Sequence, residues 1–277
     1  MMTDIDHLMI KVEECQAAGA DFERLGFIVT PLSVIGAMGV ANRLVLMKPL
    51  TGGSANFLEL MSVHDPARLN PTIGAMLAGP ERAFGMVVTC ADADEARAGL
   101  IDRGYAPGPV HRLTREWDLG GEVLRVALDV ILPMPAPFPV TLCRYRTLEH
   151  YLRPEWRAHP NGAVSLIAIH CVSQNPAPAM AYYETLFAKP AAPTPDGGLT
   201  IAPGAVHLSV QEAASFSQAF GQTPLQDEGF AGYSLRSADL GRTRAYLAGQ
   251  GIGFTETPGG LVLDPARTHG AILRFVA

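Results

Sequence analysis

The chain has 277 residues, 48% hydrophobic and 17% charged, with a net charge of −6. That composition implies a folded protein with one large core or two ordinary ones, and excludes a disordered chain. No basic run accompanies the acidic balance, so nucleic-acid backbone binding is not expected. Residues 128–142 look apolar but carry four prolines and an aspartate, so they read as a loop entering a strand and not as a membrane span.

In chain order, Ile5–Val12 reads as a strand, with His7, Met9 and Lys11 on one face and Leu8, Ile10 and Val12 on the other. A helix over 15–25 stops at Gly26. Strands follow at 27–31, 41–47 and 55–61, separated by the loop 35–39 and the turn Thr51-Gly52-Gly53-Ser54. A short helical piece at about 70–77 leads to a second strand–helix unit, 84–89 and 93–103, ended by Gly104. Weaker strands at 110–114 and 123–129 precede one at 140–144. The segment 147–160 reads as a structured connector.

The pattern then repeats. A strand from about Val164 is followed by a helix over 177–186 that Pro176 starts. A loop at 190–198 leads to strands at 199–202 and 205–210. The last copy begins near Gly232, with a helix at 240–250 and strands at 253–257, 260–263 and 271–276. The chain therefore reads as four β-α-β-β-β copies, most of whose helices end at a Gly–aromatic or Gly–apolar turn. One such unit leaves a sheet face uncovered, and two can pair around a shared concave surface. The expected fold is α+β, with curved mixed sheets in two domains, 1–160 and 161–277, the first holding the candidate site. Four ferredoxin-like units are the competing reading, less natural because three strands follow each helix.

The four cysteines form no CxxC pair, so they read as free thiols in a reducing cytoplasm. The acidic N-terminus, MMTDIDHLMIKV, does not read as a signal peptide. The expected location is cytoplasmic, with a small-molecule ligand, no nucleic acid, no membrane, and a monomer or simple homodimer.

Two residues stand out chemically. His7 lies mid-strand, and Glu59 is a carboxylate inside the apolar run Phe57–Met61, where it needs a partner or a metal. If the first and last strands of the unit line one concave face, both point into one cavity. Imidazole plus carboxylate suits Zn²⁺, Fe²⁺, Mn²⁺ or Ni²⁺, and a buried His–Glu hydrogen bond without metal is the alternative. Asn42 and Arg43 sit in a strand bordering that cavity, where a polar substrate contact is expected. Trp117 and Trp156 read as packing residues ahead of ligand stackers. Glu155 and His159 share helical spacing, but Pro154 and Pro160 favour a shape-setting role.

The runs DHLMIKV…AAGADFERLGFIVTP, ANRLVLM and NFLELM resemble the glyoxalase-like branch of the vicinal-oxygen-chelate superfamily. So do Pro139–Cys143 and the later Arg153-Pro154-Glu155-Trp156…His159-Pro160-Asn161-Gly162-Ala163. The resemblance covers the first domain closely and the second loosely. It implies vicinal-oxygen-chelate-type domains with metal ligands from the first and last strands of two paired modules. His7 and Glu59 match the first module. In the second, the first-strand position falls near Gly85 or Met86, and Tyr145 stands where many relatives have histidine. Tyr145 is then a ligand or an acid/base group. Arg144 and Arg146 flank it, either holding a carboxylate substrate or paired with local acids. In the second domain Ala168 falls near the His7 position and Arg274 where an acid is expected, so that half reads as degenerate. A His170–His207 pair is a further candidate there.

The resemblance implies a metal-dependent lyase or isomerase acting through an enediolate-like intermediate, with Glu59 also moving a proton. A metal-free small-molecule binding protein using the same concavity is the alternative. Extradiol-type dioxygenase chemistry ranks below both, because a two-His-one-carboxylate set is not evident. A structural role without ligand is the third class.

Overall fold

The computed structural model describes residues 2–277. Its first half runs β1 (Met2–Lys11), α1 (Cys15–Arg24), β2 (Ser33–Ile35), β3 (Val40–Leu46), β4 (Phe57–Val63) and α2 (Pro71–Met76). It continues with β5 (Arg82–Cys90), α3 (Ala93–Asp102), β6 (Val110–Asp118), β7 (Val123–Ile131) and β8 (Val140–Tyr145). These strands form one eight-stranded mixed sheet, ordered β2-β3-β4-β1-β5-β8-β7-β6. β1 lies parallel to β4 and antiparallel to β5, and β5 lies parallel to β8. The two modules thus meet back to back at β1 and β5. The edge strands β2 and β6 also approach each other, Ser33 Oγ donating to Glu116 O at 3.2 Å, so the sheet curls into a cup.

The second half repeats this plan with β9 (Ala163–Val172), α4 (Pro176–Phe187), β10 (Ala192–Pro193), β11 (Leu199–Ile201), β12 (His207–Gln211) and α5 (Ala213–Phe220). Then come β13 (Gly229–Ser237), α6 (Leu240–Gly249), β14 (Thr255–Thr257), β15 (Gly260–Leu263) and β16 (Ile272–Val276). Their order, β10-β11-β12-β9-β13-β16-β15-β14, mirrors the first sheet.

One contiguous apolar core takes one face of each sheet and the inner faces of α1, α3, α4 and α6, through Phe22, Leu100, Tyr183 and Leu247 among others. Burying a side chain such as Phe22 contributes about 1.5–3 kcal/mol. Separate clusters, around Met9 and Met61 and around Trp117, cover the other face of the first sheet. The central strand β1 is therefore buried on both faces, so its polar members Asp4, Asp6, His7 and Lys11 each need a partner.

The helix ends follow local chemistry. Gly26, Gly104 and Gly251 each take positive φ just past a helix, and Ala188, at φ 51°, fills that place after α4. The strand expected at 27–31 is absent as a ladder, and the pairing strand lies at Ser33–Ile35. Thr30 N–H still donates to Leu44 O at 2.9 Å, but Pro31 has no N–H with which to continue. α5 is an element that the sequence reading did not contain.

Side chains and backbone join the halves. Asn56 imitates a strand partner, its Nδ2 donating to Leu166 O at 2.9 Å and its Oδ1 accepting from Leu166 N at 2.7 Å. Asp4 accepts from Ala205 N and Val206 N at 3.0 and 2.9 Å. His159, from the connector, accepts from Ile28 N at 3.0 Å and lies 2.9 Å from Leu46 O, a shape-setting role. Among the described residues no helix is long and apolar enough to cross a membrane.

Candidate functional site

The concave face of the first sheet holds a cavity of about 90 Å³, smaller than drug-sized sites of about 300–1,000 Å³. Its walls are mostly apolar and rich in thioethers, with Met9, Met38, Met61, Val87, Leu113 and Leu128 among them, and α2 adds Ile73 at one side. The polar groups are His7, Glu59, Arg115, Thr141, Tyr145 and Tyr151, with the thiol of Cys143 beside them.

His7 and Glu59 do meet. The register sets Glu59 beside Met9, two residues past His7, and the side chains approach with Nε2 3.2 Å from Oε2. His7 stacks on Phe57 with ring centroids 3.9 Å apart. Its other nitrogen, Nδ1, faces the carboxylate of Asp6. Adjacent strand residues ordinarily point to opposite faces. Here β5 pairs Ile5 with Val88 and His7 with Val87, so Asp6 is the extra residue of a β-bulge. Bulges re-aim side chains, and this one turns Asp6 toward His7. Thr89 Oγ1 and Tyr145 Oη donate to Asp6 at 2.6 and 3.1 Å, which holds its carboxylate in place.

Burial pulls the His7 imidazole toward neutrality, but Asp6 and then Glu59 oppose it by charge and hydrogen bonding, and raise it to about 9. Burial pushes Glu59 up, yet the bond and charge of His7, the charge of Arg115 and the Asn42 amide leave it below the ordinary carboxylate range. Both groups are therefore charged at neutral pH.

Arg115, on β6, is the principal residue that the sequence reading missed. It is 6% exposed, donates from one terminal nitrogen to Asn42 Oδ1 at 2.5 Å, and from the other to Tyr151 Oη at 2.8 Å. Its guanidinium lies 4.9 Å from the Trp117 ring. Its Nε–H has no partner. Asn42 links it to Glu59, to which the Asn42 amide donates. The signal was the alternation Leu113-x-Arg115-x-Trp117, which puts the arginine on the inward face with a fully buried tryptophan.

The remaining candidates separate. Tyr145 lies on the Nδ1 side of His7, 3.4 Å from that nitrogen, and so opposite Glu59. Burial and then Asp6 push its phenol well up, so it is a neutral donor. Arg144 and Arg146 do not line the cavity. Thr141, Cys143 and Tyr145 do, so strand alternation turns the arginines away. Arg144 pairs with Asp92 at 3.1 Å, and Arg146 with Asp129 at 2.5 Å. In the second half, His170 bonds Ser234 Oγ at 2.8 Å, while His207 is exposed and 3.3 Å from Thr200 Oγ1. No His170–His207 pair forms.

The donor set does not fit the expected divalent ion. The bulge at Asp6 in β1 has its match at Phe84 in β5, so the equivalent of His7 is Gly85, and Glu59 beside Met9 corresponds to Thr141 beside Val87. The first-strand position falls at Gly85 as expected from sequence, whereas the last-strand position falls at Thr141 and not at Tyr145. Glycine offers no side-chain ligand atom, and a neutral threonine hydroxyl is a poor ligand for these ions. Among the described residues no group of three or more His, Cys, Asp or Glu is arranged to hold a metal.

Paired β-α-β-β-β modules around a cup define a vicinal-oxygen-chelate-type architecture, present here in two copies. The family model described as "Glyoxalase-like domain" matches residues 5–187, and the chain belongs to that family. A hypothetical protein from Staphylococcus aureus is similar over 99% of this chain and 98% of its own, at 11% identity and a TM-score of 0.64. A xylose isomerase-like TIM barrel/4-hydroxyphenylpyruvate dioxygenase fusion protein matches 99% of this chain with 49% of its own, at 12% identity and a TM-score of 0.53. A Streptomyces coelicolor methylmalonyl-CoA epimerase complexed with 2-nitronate-propionyl-CoA matches 52% of this chain with 94% of its own, at 21% identity and a TM-score of 0.40. At these identities the first two likenesses carry the fold alone. No curated protein matches the chain.

Proposed function

We propose that the cup of the first sheet binds a small molecule with an apolar body and one oxygen-bearing head, without a resident divalent ion. One observation carries this reading: Arg115 is buried in the wall of a largely apolar cavity with its Nε–H uncommitted. An unpartnered buried donor costs about 1–3 kcal/mol, which a carbonyl or carboxylate oxygen would relieve. The thioether-lined walls suit a body that is apolar and variable in shape.

A second reading rests on the bulge at Asp6. The order Asp6, His7, Glu59 sets a proton between two carboxylates at the cavity floor. Glu59 is the member nearer Arg115, through Asn42, so it is the group placed to exchange a proton with a ligand held there. This favours the isomerase or lyase class, run by general acid–base chemistry.

The test is a titration of the full chain with 4-phenylbutan-2-one and 4-phenylbutanoate, followed by tryptophan fluorescence, since Trp117 stacks under Arg115. Metal is measured on the same sample. The expected result is saturable binding with less than about 0.1 ion per chain. Arg115→Met should weaken binding by more than about ten-fold. Stoichiometric metal that His7→Ala or Glu59→Ala releases would overturn the metal-free reading. Absence of binding by either probe would overturn the ligand class.

A further inference from the structure

The second cup is filled by its own chain. α5 follows β12 as α2 follows β4, so two short helices hold equivalent places over two cups. α2 lends Ile73 to a cavity that stays open. α5 instead drives Phe216 and Phe220, both fully buried, onto Val172, Val262 and Ile272.

Beneath this apolar plug the floor is polar. The register sets Ser209 beside His170, and Ser234 beside Arg274. Arg274 Nε donates to Ser234 Oγ at 3.1 Å, and Arg274 forms no ion pair among the described residues. Gln211, next to Val172 and 1% exposed, has no partner for either amide atom. These five side chains include no carboxylate. Burial, and then the Arg274 charge, pull His170 well down, so it is neutral, and burial pulls Arg274 down despite Asp196. A floor of one cation and several neutral donors is short of an anion.

The Phe220 ring occupies a defined slot. The Arg274 guanidinium lies 4.1 Å from its centroid, Phe216 stacks on it at 4.2 Å and 5°, and His170 meets it at 4.9 Å and 70°. When α5 moves, Phe216 leaves with Phe220, and the Arg274 guanidinium and the His170 ring remain to receive a flat ring. Glu212 makes no side-chain cap to α5, whereas Asn70 caps α2, so the burial of Phe216 and Phe220 is what anchors α5.

We propose that the second cup is a ligand site in its own right, which a small aromatic carboxylate enters as α5 swings outward. The ligand ring takes the Phe220 slot, its carboxylate pairs with Arg274, and the Gln211 amide lines the other end of the opened cup. This site is independent of the function proposed for the first cup.

The test titrates the full chain with 3-phenylpropanoate and with its uncharged analogue 3-phenylpropanamide by calorimetry. Every titration is made in an Arg115→Gln background, which disables the first cup, so that the heat reports the second cup alone. In that background Phe220→Ala vacates the slot and should tighten the acid by more than about ten-fold. Adding Arg274→Gln should abolish that gain, and the amide should bind about ten-fold more weakly than the acid. A folded Phe220→Ala that binds no tighter there, or that takes acid and amide alike, would overturn the proposal. Hydrogen exchange on the unaltered chain is a second check. Amides of α5 should open well before those of β9. Equal protection of the two would refute the swing.

Discussion

A His7→Gln substitution separates the charge of the imidazole from its shape. In the folded chain His7 is raised from 6.5 to about 9 by its two carboxylate neighbours. A raised folded value means that the unfolded chain releases this proton first as pH rises. The stabilisation is then complete below pH 6.5 and lost between 6.5 and about 9. At about 1.4 kcal/mol per unit, the shift amounts to about 3–4 kcal/mol. Glutamine cannot carry the proton, so its stability should lack this component at every pH. Urea unfolding of both proteins between pH 6 and 9.5 measures it. The difference should be close to its maximum at pH 6 and shrink toward zero by the upper end. Parallel profiles would show that folding does not raise the proton affinity of His7, and that the Asp6–His7–Glu59 account is wrong.

His159 predicts the opposite limb. Burial drops it to about 4, so its contribution is present above pH 6.5 and lost as pH falls toward 4. An acid unfolding series on His159→Gln should show a flatter profile than the parent over that window. Asn56→Ala strands the buried N–H and C=O of Leu166, and should lower urea-derived stability by about 2–4 kcal/mol. Gly270→Ala should cost at least about 2 kcal/mol in the same assay, because Gly270 sits at φ +90° and an added Cβ would meet the Glu81 carbonyl. Gly52→Ala, whose Cβ would meet nothing within 4 Å, should change stability by less than about 0.5 kcal/mol.

The four-fold strand–helix rhythm is legible because it is written in local chemistry: period-two apolar runs, capped small-residue helices, and glycines where the chain must turn at positive φ. His7 and Glu59 are legible as polar residues inside apolar strands. Asp6 is not. Strict alternation sends it to the opposite face, and only the bulge, a tertiary feature of the β1–β5 pairing, brings it back. Arg115 hides in a strand whose exposed residues dilute its pattern, so its inward face emerges only when the sheet curls. Arg144 and Arg146 were drawn in by proximity to Tyr145, although alternation places them outside. α5 escapes because eight residues hold little periodic signal beyond Phe216 and Phe220 at i,i+4.

The central claim, that the first cup is a metal-free small-molecule site organised by Arg115, is tested most directly by methionine-methyl NMR. Met9, Met38 and Met61 line that cavity, while Met180 sits in the shared core. On adding 4-phenylbutan-2-one or 4-phenylbutanoate to metal-free protein, the three cavity methyls should shift together, Met180 should stay, and Arg115→Met should erase the response. Shifts that appear only after a divalent ion is added, or that spare these three methyls, would contradict the account.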